Sequence, residues 1–279
     1  MPLRYSNLKK KPTVFKHLFG VSPQEFEEIL TKVEPLFTKK ILDGYKRPGR
    51  PYKHDLAEHL LMLLLYYRCY VTQEFVGCLF DLDKSRVCRM IKALEPLLAQ
   101  VMAIDKRKKL SQKEMETLLI DATEQPIERP KKGQRTFYSG KKKRHTMKTE
   151  IRVTKEGKIV HVSKTHPGSA HDFTVFKQEL PPPKGSRVYV DSGYQGIDHF
   201  HKEAEFPYKA SKTKPLDEEE KEYNQALSRI RVRVEHIIGD LKTFKILSER
   251  YRNKRKRYHL KVNIIAGIVN LKNGFKKTA

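Results

Sequence analysis

The chain has 279 residues, with 58 Lys or Arg against 33 Asp or Glu, which gives a formal net charge of +25 at pH 7. This excess of positive charge is larger than solubility requires and indicates a polyanionic partner, most simply nucleic acid. No stretch approaches the roughly 20 apolar residues of a membrane-spanning helix, and the N-terminus lacks the apolar segment of a signal peptide, so neither a spanning helix nor a signal peptide is expected.

The first predicted element is a helix that begins after Ser22. Pro23 at the first helical position and Glu25 three residues after Ser22 form a capping-box pattern, which predicts a helix to about Thr38. A Pro- and Gly-rich basic loop follows, "GYKRPGRPYKHD". Arg47 and Arg50 in this loop either belong to a solvated linker or reach into a DNA minor groove.

Three helical segments come next, from about Asp55 to Tyr70, from Thr72 to Phe80, and from Lys84 to about Leu98. A short helix, a tight turn and a helix with a polar, basic first turn are the layout of a helix-turn-helix. Its second helix would place four side chains at bases and phosphates: Lys84, Ser85, Arg86 and Arg89. The alternative is a helical bundle with a solvated basic face.

The three cysteines of the chain fall in this helical region and in apolar surroundings, without C-x-x-C spacing. They are Cys69, Cys78 and Cys88. The pattern predicts buried free thiols in a reducing compartment, such as the cytoplasm, and argues against zinc ligands or disulfides.

After a charged hinge the pattern changes to strands, and two apolar runs each reach an aspartate, "LLIDAT" at Asp121 and "VYVDSG" at Asp191. A hairpin, "HTMKTEIRVT" and "GKIVHV", and a short helix, "GSAHDFTVF", lie between them, and a long helix and a final helix follow. This alternation predicts an α/β architecture. Aspartates at one edge of neighbouring strands would repel each other unless a divalent cation lies between them, and oxygen ligands favour magnesium or manganese.

Glu235 is the candidate for a third ligand, because it lies at the margin of the apolar stripe of the long helix, next to Val234. Arg231 lies one turn earlier, and Gly239 one turn later leaves open space beside the glutamate. Considered alone, Glu235 fits a surface ion pair with Arg231 better; together with the two aspartates it fits a metal site.

Several segments resemble the DDE-type transposases of bacterial insertion sequences, the DDE superfamily endonucleases. They include "LIDATE", "PGSAHDF", "VDSGYQG", "SRIRVRVEHIIGDLKTF" and "RNKRKRYHLKVNIIAGIVN". The resemblance is closest to the IS-five-type group, which is similar to the Harbinger transposases of eukaryotes. It covers about Leu118 to Asn270, and the helix-turn-helix at about 52–99 resembles the DNA-binding segment of the same group.

The resemblance implies a ribonuclease-H-like catalytic domain, a mixed sheet flanked by helices, preceded by an all-α helix-turn-helix region. The implied domains are a helical segment with its linker at 1–50, the helix-turn-helix at 51–105 and the catalytic domain at 106–279. Asp121, Asp191 and Glu235 match the family's metal-binding catalytic triad, which implies two Mg²⁺ or Mn²⁺ ions. The implied reaction is cleavage at the element's terminal inverted repeats, followed by joining of the 3′-hydroxyls to target DNA in a bacterial, nucleoid-associated setting.

Two basic segments are candidates for further DNA contact. The first, "KKGQRTFYSGKKKRH", interleaves Phe137 and Tyr138 with cations, which is typical of a surface that follows a nucleic-acid backbone. The second is "RYRNKRKRYH". The cations assigned to DNA in the two segments are Lys141, Lys142, Lys143, Arg144, Arg252, Lys254 and Arg255.

Other polar side chains keep two interpretations. Asp172 is either a helix cap or an additional carboxylate of the site, and His145 and His171 either contact phosphate or are structural. Glu124 is expected in a turn.

Two alternative functions remain open from the sequence: a domesticated transposon-derived DNA-binding protein without nuclease activity, and a host nuclease on the same fold. Retention of Asp121, Asp191 and Glu235 argues against the first, and the separate helix-turn-helix argues against the second. The expected partner is double-stranded DNA, both end and target. Because one chain offers one triad, a homodimer is expected on paired ends, and the charge of +25 makes that dimer depend on DNA.

Overall fold

The computed structural model describes residues 3–43, 53–105, 111–211 and 215–275. They form two compact units, the first from residues 1–103, 241–249 and 260–279 and the second from residues 104–240 and 250–259. Arg47 and Arg50 lie outside the described residues. None of the helices in the described ranges is long and apolar enough to cross a membrane.

In its described residues, the N-terminal part of the first unit contains helices and their connecting turns and no strand. Its elements are α1 (Tyr5–Leu8), α2 (Pro12–Phe19), α3 (Pro23–Phe37), a π-helical turn (Thr38–Leu42), α4 (Leu56–Cys69), α5 (Gln73–Phe80) and α6 (Lys84–Met102). The predicted capping box of α3 is confirmed, since the Glu25 N–H donates to Ser22 Oγ at 3.2 Å and the Ser22 N–H donates to Glu25 Oε2 at 2.6 Å. The helices surround α4, in which every residue from Leu60 to Leu65 is buried.

The predicted helix-turn-helix consists of α5 and α6, and its turn depends on one glycine. The Leu82 N–H donates to the Gly77 carbonyl at 2.8 Å. A Cβ atom added at Gly77 would lie 2.3 Å from the Leu82 carbonyl oxygen, which no side chain can tolerate. Asp83 then caps α6, its Oδ1 accepting from the Arg86 N–H at 2.9 Å. The short turn and the cap together present the first turn of α6 at the surface.

The second unit is built on a mixed seven-stranded sheet, with the order β2-β3-β1-β6-β7 and with β4 and β5 also paired to β3. The strands are β1 (Thr117–Pro126), β2 (Tyr138–Ser139), β3 (Arg144–Thr154), β4 (Ile159–Val162), β5 (His166–Pro167), β6 (Arg187–Tyr189) and β7 (Ala204–Glu205). β1 pairs antiparallel with β3 and parallel with β6. The predicted hairpin is the antiparallel pair β3–β4.

After α6, the described residues contain five further helices: α7 (Gln112–Glu116), α8 (Gln134–Phe137), α9 (Asp172–Lys177), α10 (Glu218–Lys242) and α11 (Tyr258–Lys272). Short 3₁₀ turns lie at Ser192–Tyr194, Ile197–His199, Lys245–Leu247 and Arg255–Arg257. One core of the second unit joins Leu118 and Ile120 of β1 to Val188 of β6 and Phe176 of α9. A helix-turn-helix followed by a mixed sheet with flanking helices is the predicted fold class, a ribonuclease-H-like α/β domain behind an all-α region, and it is confirmed.

Several details of the sequence prediction are wrong. The cysteines are free, but none is buried, since Cys78 is exposed and Cys69 and Cys88 are partly exposed. Ile230 matches the helical period of the apolar stripe of α10, yet it is 38% exposed. Glu124 lies inside β1 opposite Lys148 and not in a turn. In each case the residue type or spacing predicted one environment, and the packing of neighbouring elements produced another.

Candidate active site

Two neighbouring parallel strands, β1 and β6, bring Asp121 and Asp191 close together. Leu119 of β1 pairs with Tyr189 of β6, and each aspartate is two residues further along its own strand direction. Asp121 does not end its strand as predicted, because β1 continues to Pro126 and Asp121 pairs with Ile151 of β3. Asp191, by contrast, lies just beyond β6. The pairing therefore brings both carboxylates to one place on the sheet.

Each of the two carboxylates accepts a hydrogen bond from the next backbone N–H. Ala122 donates to Asp121 Oδ1 at 2.8 Å, and Ser192 donates to Asp191 Oδ1 at 2.6 Å. Burial raises the pKa of the Asp121 carboxyl to about 6, and the nearby charges of Asp191 and Asp172 add to the rise. The Ala122 N–H and the Arg231 guanidinium act in the opposite direction. The ionised form of Asp121 is therefore destabilised unless a nearby cation compensates for its negative charge.

Arg231 of α10 is the cation next to this pair. Its Nη1 lies 3.8 Å from Asp191 Oδ1, and its side chain is only 11% exposed. The sequence suggested Arg231 as an ion-pair partner of Glu235, and the structure directs it to Asp191 instead. Its buried Nε has no hydrogen-bond partner in the part of the chain that is described. A largely buried guanidinium with an unused donor, facing a carboxylate, is suited to hold an anion such as phosphate.

A third aspartate, Asp172, lies at the first position of α9. Its predicted role as a helix cap is wrong, since the N-cap is His171 and no side-chain cap bond forms. Asp172 Oδ1 instead lies 2.8 Å from Lys148 Nζ. Lys148 is buried and also donates to the Ala170 carbonyl at 2.7 Å. A Cβ added at Gly193 would lie 2.6 Å from Asp172 Oδ2, so any side chain at this position of the loop would force the Asp172 carboxylate to shift.

Lys148 was missed in the sequence. The signal was present, because "HTMKTE" places a lysine in a run that predicts a half-buried strand. A buried lysine needs a charged partner, and Asp172 supplies it.

Glu235 lies on α10, one turn after Arg231, and its side chain is exposed. A Cβ at Gly239 would meet no atom within 4 Å, which confirms the expected open space one turn later. Across the described ranges no group of three or more His, Cys, Asp or Glu side chains is arranged to hold a metal ion. The structure therefore brings Asp121 and Asp191 together and does not bring Glu235 into a ligand set with them.

The donor chemistry of the aspartate pair fits a hard divalent cation. Both side chains offer only oxygen, the ligand type that Mg²⁺ and Mn²⁺ prefer. The raised pKa of Asp121 has two neighbouring carboxylates among its causes. A bound cation would offset that repulsion, so the two aspartates are the residues of this chain best suited to hold one.

A buried network of hydrogen bonds holds the loop that carries Asp191. Tyr194, in the turn after Asp191, is fully buried and donates its hydroxyl to Glu150 Oε2 at 3.5 Å. Arg152 Nε donates to Glu150 Oε1 at 2.8 Å. Burial raises the pKa of the Tyr194 hydroxyl well above its ordinary value, so it stays protonated and remains a donor. This fixed turn sets the position from which Asp191 projects.

The predicted DNA-binding side chains of the first unit are on the surface. Lys84, Ser85, Arg86 and Arg89 are all exposed on the first turns of α6. Arg86 forms an exposed ion pair with Asp83 at 3.2 Å, and Lys84 lies 3.4 Å from Glu74. Exposed pairs of this kind are weak, so both cations remain available to DNA.

The basic segments of the second unit are also exposed. Lys141, Lys142, Lys143 and Arg144 surround the turn between β2 and β3, and Arg252, Lys254 and Arg255 precede α11. His145 is partly exposed and packs edge-on against Tyr138, with 5.6 Å between the ring centroids, and His171 is exposed at the N-cap of α9.

Comparison with known proteins agrees with this arrangement. Residues 120–270 match the family described as DDE superfamily endonuclease, and residues 55–104 match the helix-turn-helix of DDE superfamily endonuclease. The chain is 38% identical to a probable transposase for insertion sequence element IS702 of Microchaete diplosiphon, over 94% of this chain and 95% of that protein. It is 24% identical to a candidate transposase for insertion sequence element IS112 of Streptomyces albus G, over 86% and 87% of the two chains. With its helix-turn-helix, its mixed sheet and these relatives, the chain belongs to the DDE superfamily endonucleases, the family of insertion-sequence transposases.

Proposed function

We propose that this chain is the transposase of its own insertion sequence. In this proposal it binds the terminal inverted repeats, cleaves the DNA ends and joins the freed 3′-hydroxyls to target DNA. The observation that carries the proposal is the pair of adjacent carboxylates, Asp121 and Asp191, in a chain that also has an exposed helix-turn-helix.

Asp121 and Asp191 would bind the cations, and Glu235 is the proposed third ligand because it matches the triad of the family. Arg231 beside Asp191 would contact the phosphate at which the bond breaks. Two divalent ions, when bound, activate the attacking oxygen and stabilise the leaving one. Both cleavage and joining are in-line displacements at phosphorus, so the chain needs no side-chain nucleophile. Its own residues position the phosphate and supply the oxygen ligands.

The test of this activity is metal-dependent cleavage of DNA that carries the inverted repeats flanking the coding sequence. We expect nicks or breaks at the repeat ends with Mg²⁺ or Mn²⁺, none with EDTA, and recovery when excess Mg²⁺ is restored. The control is the same DNA with scrambled repeats. Cleavage that continues in EDTA would contradict the metal requirement. Protein that binds the repeats yet never cuts them would contradict the proposed nuclease activity.

The assembly that performs the reaction is proposed to be a homodimer on paired ends. Each chain has one set of carboxylates, and closed two-fold dimers are the commonest symmetric oligomers. At a net charge of +25 per chain, free protomers repel at low salt, and DNA removes that repulsion. Light scattering of the active complex should therefore show two chains per pair of ends. A salt-insensitive dimer without DNA would contradict the dependence on DNA.

The first turn of α6 is proposed to read the repeat sequence, because recognition helices contact base edges with their N-terminal residues. Arg86→Ala and Arg89→Ala should each weaken binding to repeat DNA more than to random DNA. Loss of a bidentate base contact reduces discrimination by about 1 to 3 kcal/mol. Competition binding at fixed salt measures the ratio of the two affinities.

Lys92→Ala is the matched control for this prediction, since Lys92 is exposed on the same helix beyond Arg89. Removing its charge should lower both affinities by the same factor. If the two arginine variants behave like Lys92→Ala, their side chains contact only phosphate.

A further inference from the structure

An open cleft of about 770 Å³ lies in the second unit. It is formed where the segment before α11 meets β3, β5 and the end of α8. Its lining is rich in cationic and aromatic side chains and contains no carboxylate: Phe137, Met147, Lys164, Thr165, His166, Pro167, Lys254, Arg255, Lys256 and His259. A cleft with this lining is suited to an anionic ligand with a flat, uncharged part.

The two basic segments that were separate in the sequence meet in this cleft. The guanidinium of Arg255 lies over the ring of Phe137, 4.3 Å from its centroid. Stacked aromatic and guanidinium planes are surfaces on which nucleobases stack. The partly exposed ring and the exposed guanidinium therefore provide a platform for a flat ring system.

The rest of the lining supplies positive charge and a buried apolar surface. Lys164, Lys254 and Lys256 are exposed at the rim, where a phosphodiester backbone would pass. Met147 is 1% exposed and contributes an apolar surface to the lining. His166 Nε2 lies 3.4 Å from Glu179 Oε1, so that ring is held in place by a partner outside the lining.

The cleft favours an unpaired nucleotide over a duplex. In a duplex the base faces are stacked on one another, and only base edges and phosphates are exposed. A stacking platform can be used only by a base that has left the stack or that belongs to a single strand. The exposed lysines by themselves would bind single-stranded and duplex DNA alike. The Phe137–Arg255 pair is the feature that favours an unpaired nucleotide.

The position of the cleft relates it to the aspartate pair. Met147 pairs with Gln125 and Ile151 pairs with Asp121, so Met147 in the lining of the cleft lies four positions along β3 from the partner of Asp121. At the rise of an extended strand this is about 13 Å. A DNA strand held at Asp121 could reach the cleft within a few nucleotides.

We propose that this cleft binds an unpaired nucleotide of the DNA strand next to the cleavage point, with its base on the Phe137–Arg255 platform and its backbone along Lys164, Lys254 and Lys256. The proposal rests on the proposed function, since cleavage is what leaves unpaired nucleotides at an end. The cleft would hold a cut end in place between cleavage and joining.

The test uses the full chain in EDTA, so that binding is measured without cleavage. The probes are a blunt repeat-end duplex and the same duplex with a short overhang of either polarity that carries 2-aminopurine, whose fluorescence falls when its base stacks. We expect the wild-type protein to bind at least one overhang duplex more tightly than the blunt duplex and to quench its fluorescence. Phe137→Ala and Arg255→Ala should lower affinity for that overhang roughly 5- to 100-fold, and Phe137→Tyr should retain it.

Arg135→Ala is the control, because Arg135 is an exposed cation of the same segment as Phe137 and is not part of the lining. It should lower affinity for blunt and overhang DNA equally. Equal binding of both DNAs by the wild type, absence of quenching, or identical behaviour of Arg255→Ala and Arg135→Ala would each overturn the proposal. Because Arg255 is exposed, its variant carries the test even if Phe137→Ala fails to fold.

These outcomes are separate from those of the end-cleavage assay with Mg²⁺. A protein that cuts its ends but shows no preference for the overhang lacks only the cleft function. A protein that quenches the fluorescence of the overhang but never cuts DNA contradicts the proposed transposase activity. That result still supports the proposed nucleotide binding in the cleft.

Discussion

Asp121→Asn and Asp191→Asn should each lower the rate of end cleavage at least about 1,000-fold, since a metal contact at the reacting phosphate stabilises the transition state by several kcal/mol. Asparagine keeps the shape of the side chain, and its carbonyl oxygen can still accept the hydrogen bond that Ala122 or Ser192 donates. The fold and repeat binding should therefore persist. The measurements are single-turnover cleavage with Mg²⁺ and repeat binding in EDTA.

Glu235→Gln should have an effect of the same size if Glu235 is the third ligand. Glu222→Gln is the control, because Glu222 is an exposed glutamate of the same helix. Its cleavage rate should stay close to that of the wild type. A wild-type rate in any of the three site variants would remove that residue from the site.

Asp172→Asn distinguishes the two possible third carboxylates. Asp172 is already paired with Lys148 at 2.8 Å, so we expect it to orient the loop at Gly193 and to affect cleavage less than Glu235. If Asp172→Asn abolishes cleavage while Glu235→Gln does not, the third ligand is Asp172. That outcome would fit the proximity of Asp172 to Asp121 and the exposure of Glu235.

The second large effect concerns stability. Lys261→Met should destabilise the first unit by about 3 to 5 kcal/mol, because it leaves a buried carboxylate without its cation. Lys261 Nζ lies 2.8 Å from Glu95 Oε1, and the side chains are 5% and 1% exposed. Tyr67 donates its hydroxyl to the same oxygen at 3.0 Å. Hydrogen exchange at the amides of α4 and α6 measures the change in the free energy of unfolding of this unit.

Two further variants test the cause. Lys261→Met combined with Glu95→Leu removes both charges and should recover much of the lost stability. Lys32→Met breaks the more exposed pair between Lys32 and Glu28 on α3 and should cost less than about 1 kcal/mol. If the double variant is as unstable as Lys261→Met, lost packing and not the loss of the cation beside Glu95 accounts for the effect.

Local patterns predicted most of the elements and their boundaries. Ser22, Pro23 and Glu25 predicted the start of α3, because capping is decided within one turn of the chain. The alternation of "HTMKTEIRVT" predicted β3 for the same kind of reason. The two small N-terminal helices α1 and α2 have no side-chain N-cap and were missed.

The environment of single side chains was predicted less well. Ile230 matches the helical period of α10 and is exposed, and Cys78 lies in an apolar run and is exposed. Periodicity shows which face of a helix is apolar, but exposure depends on which neighbour covers that face and how far along the helix the cover extends.

The sequence by itself determined the family, the elements and the residue types of the site, because "LIDAT", "VDSGY" and the capping and turn signals are local in the chain. Only the tertiary structure decided which of those residues meet. Parallel pairing of β1 with β6 places Asp121 beside Asp191, and packing of α10 directs Arg231 toward Asp191. Lys148 contacts Asp172, which is 24 positions later in the chain. The same folding stacked Arg255 on Phe137. Contacts between distant residues depend on strand register and on how helices cover the sheet, which no local pattern specifies.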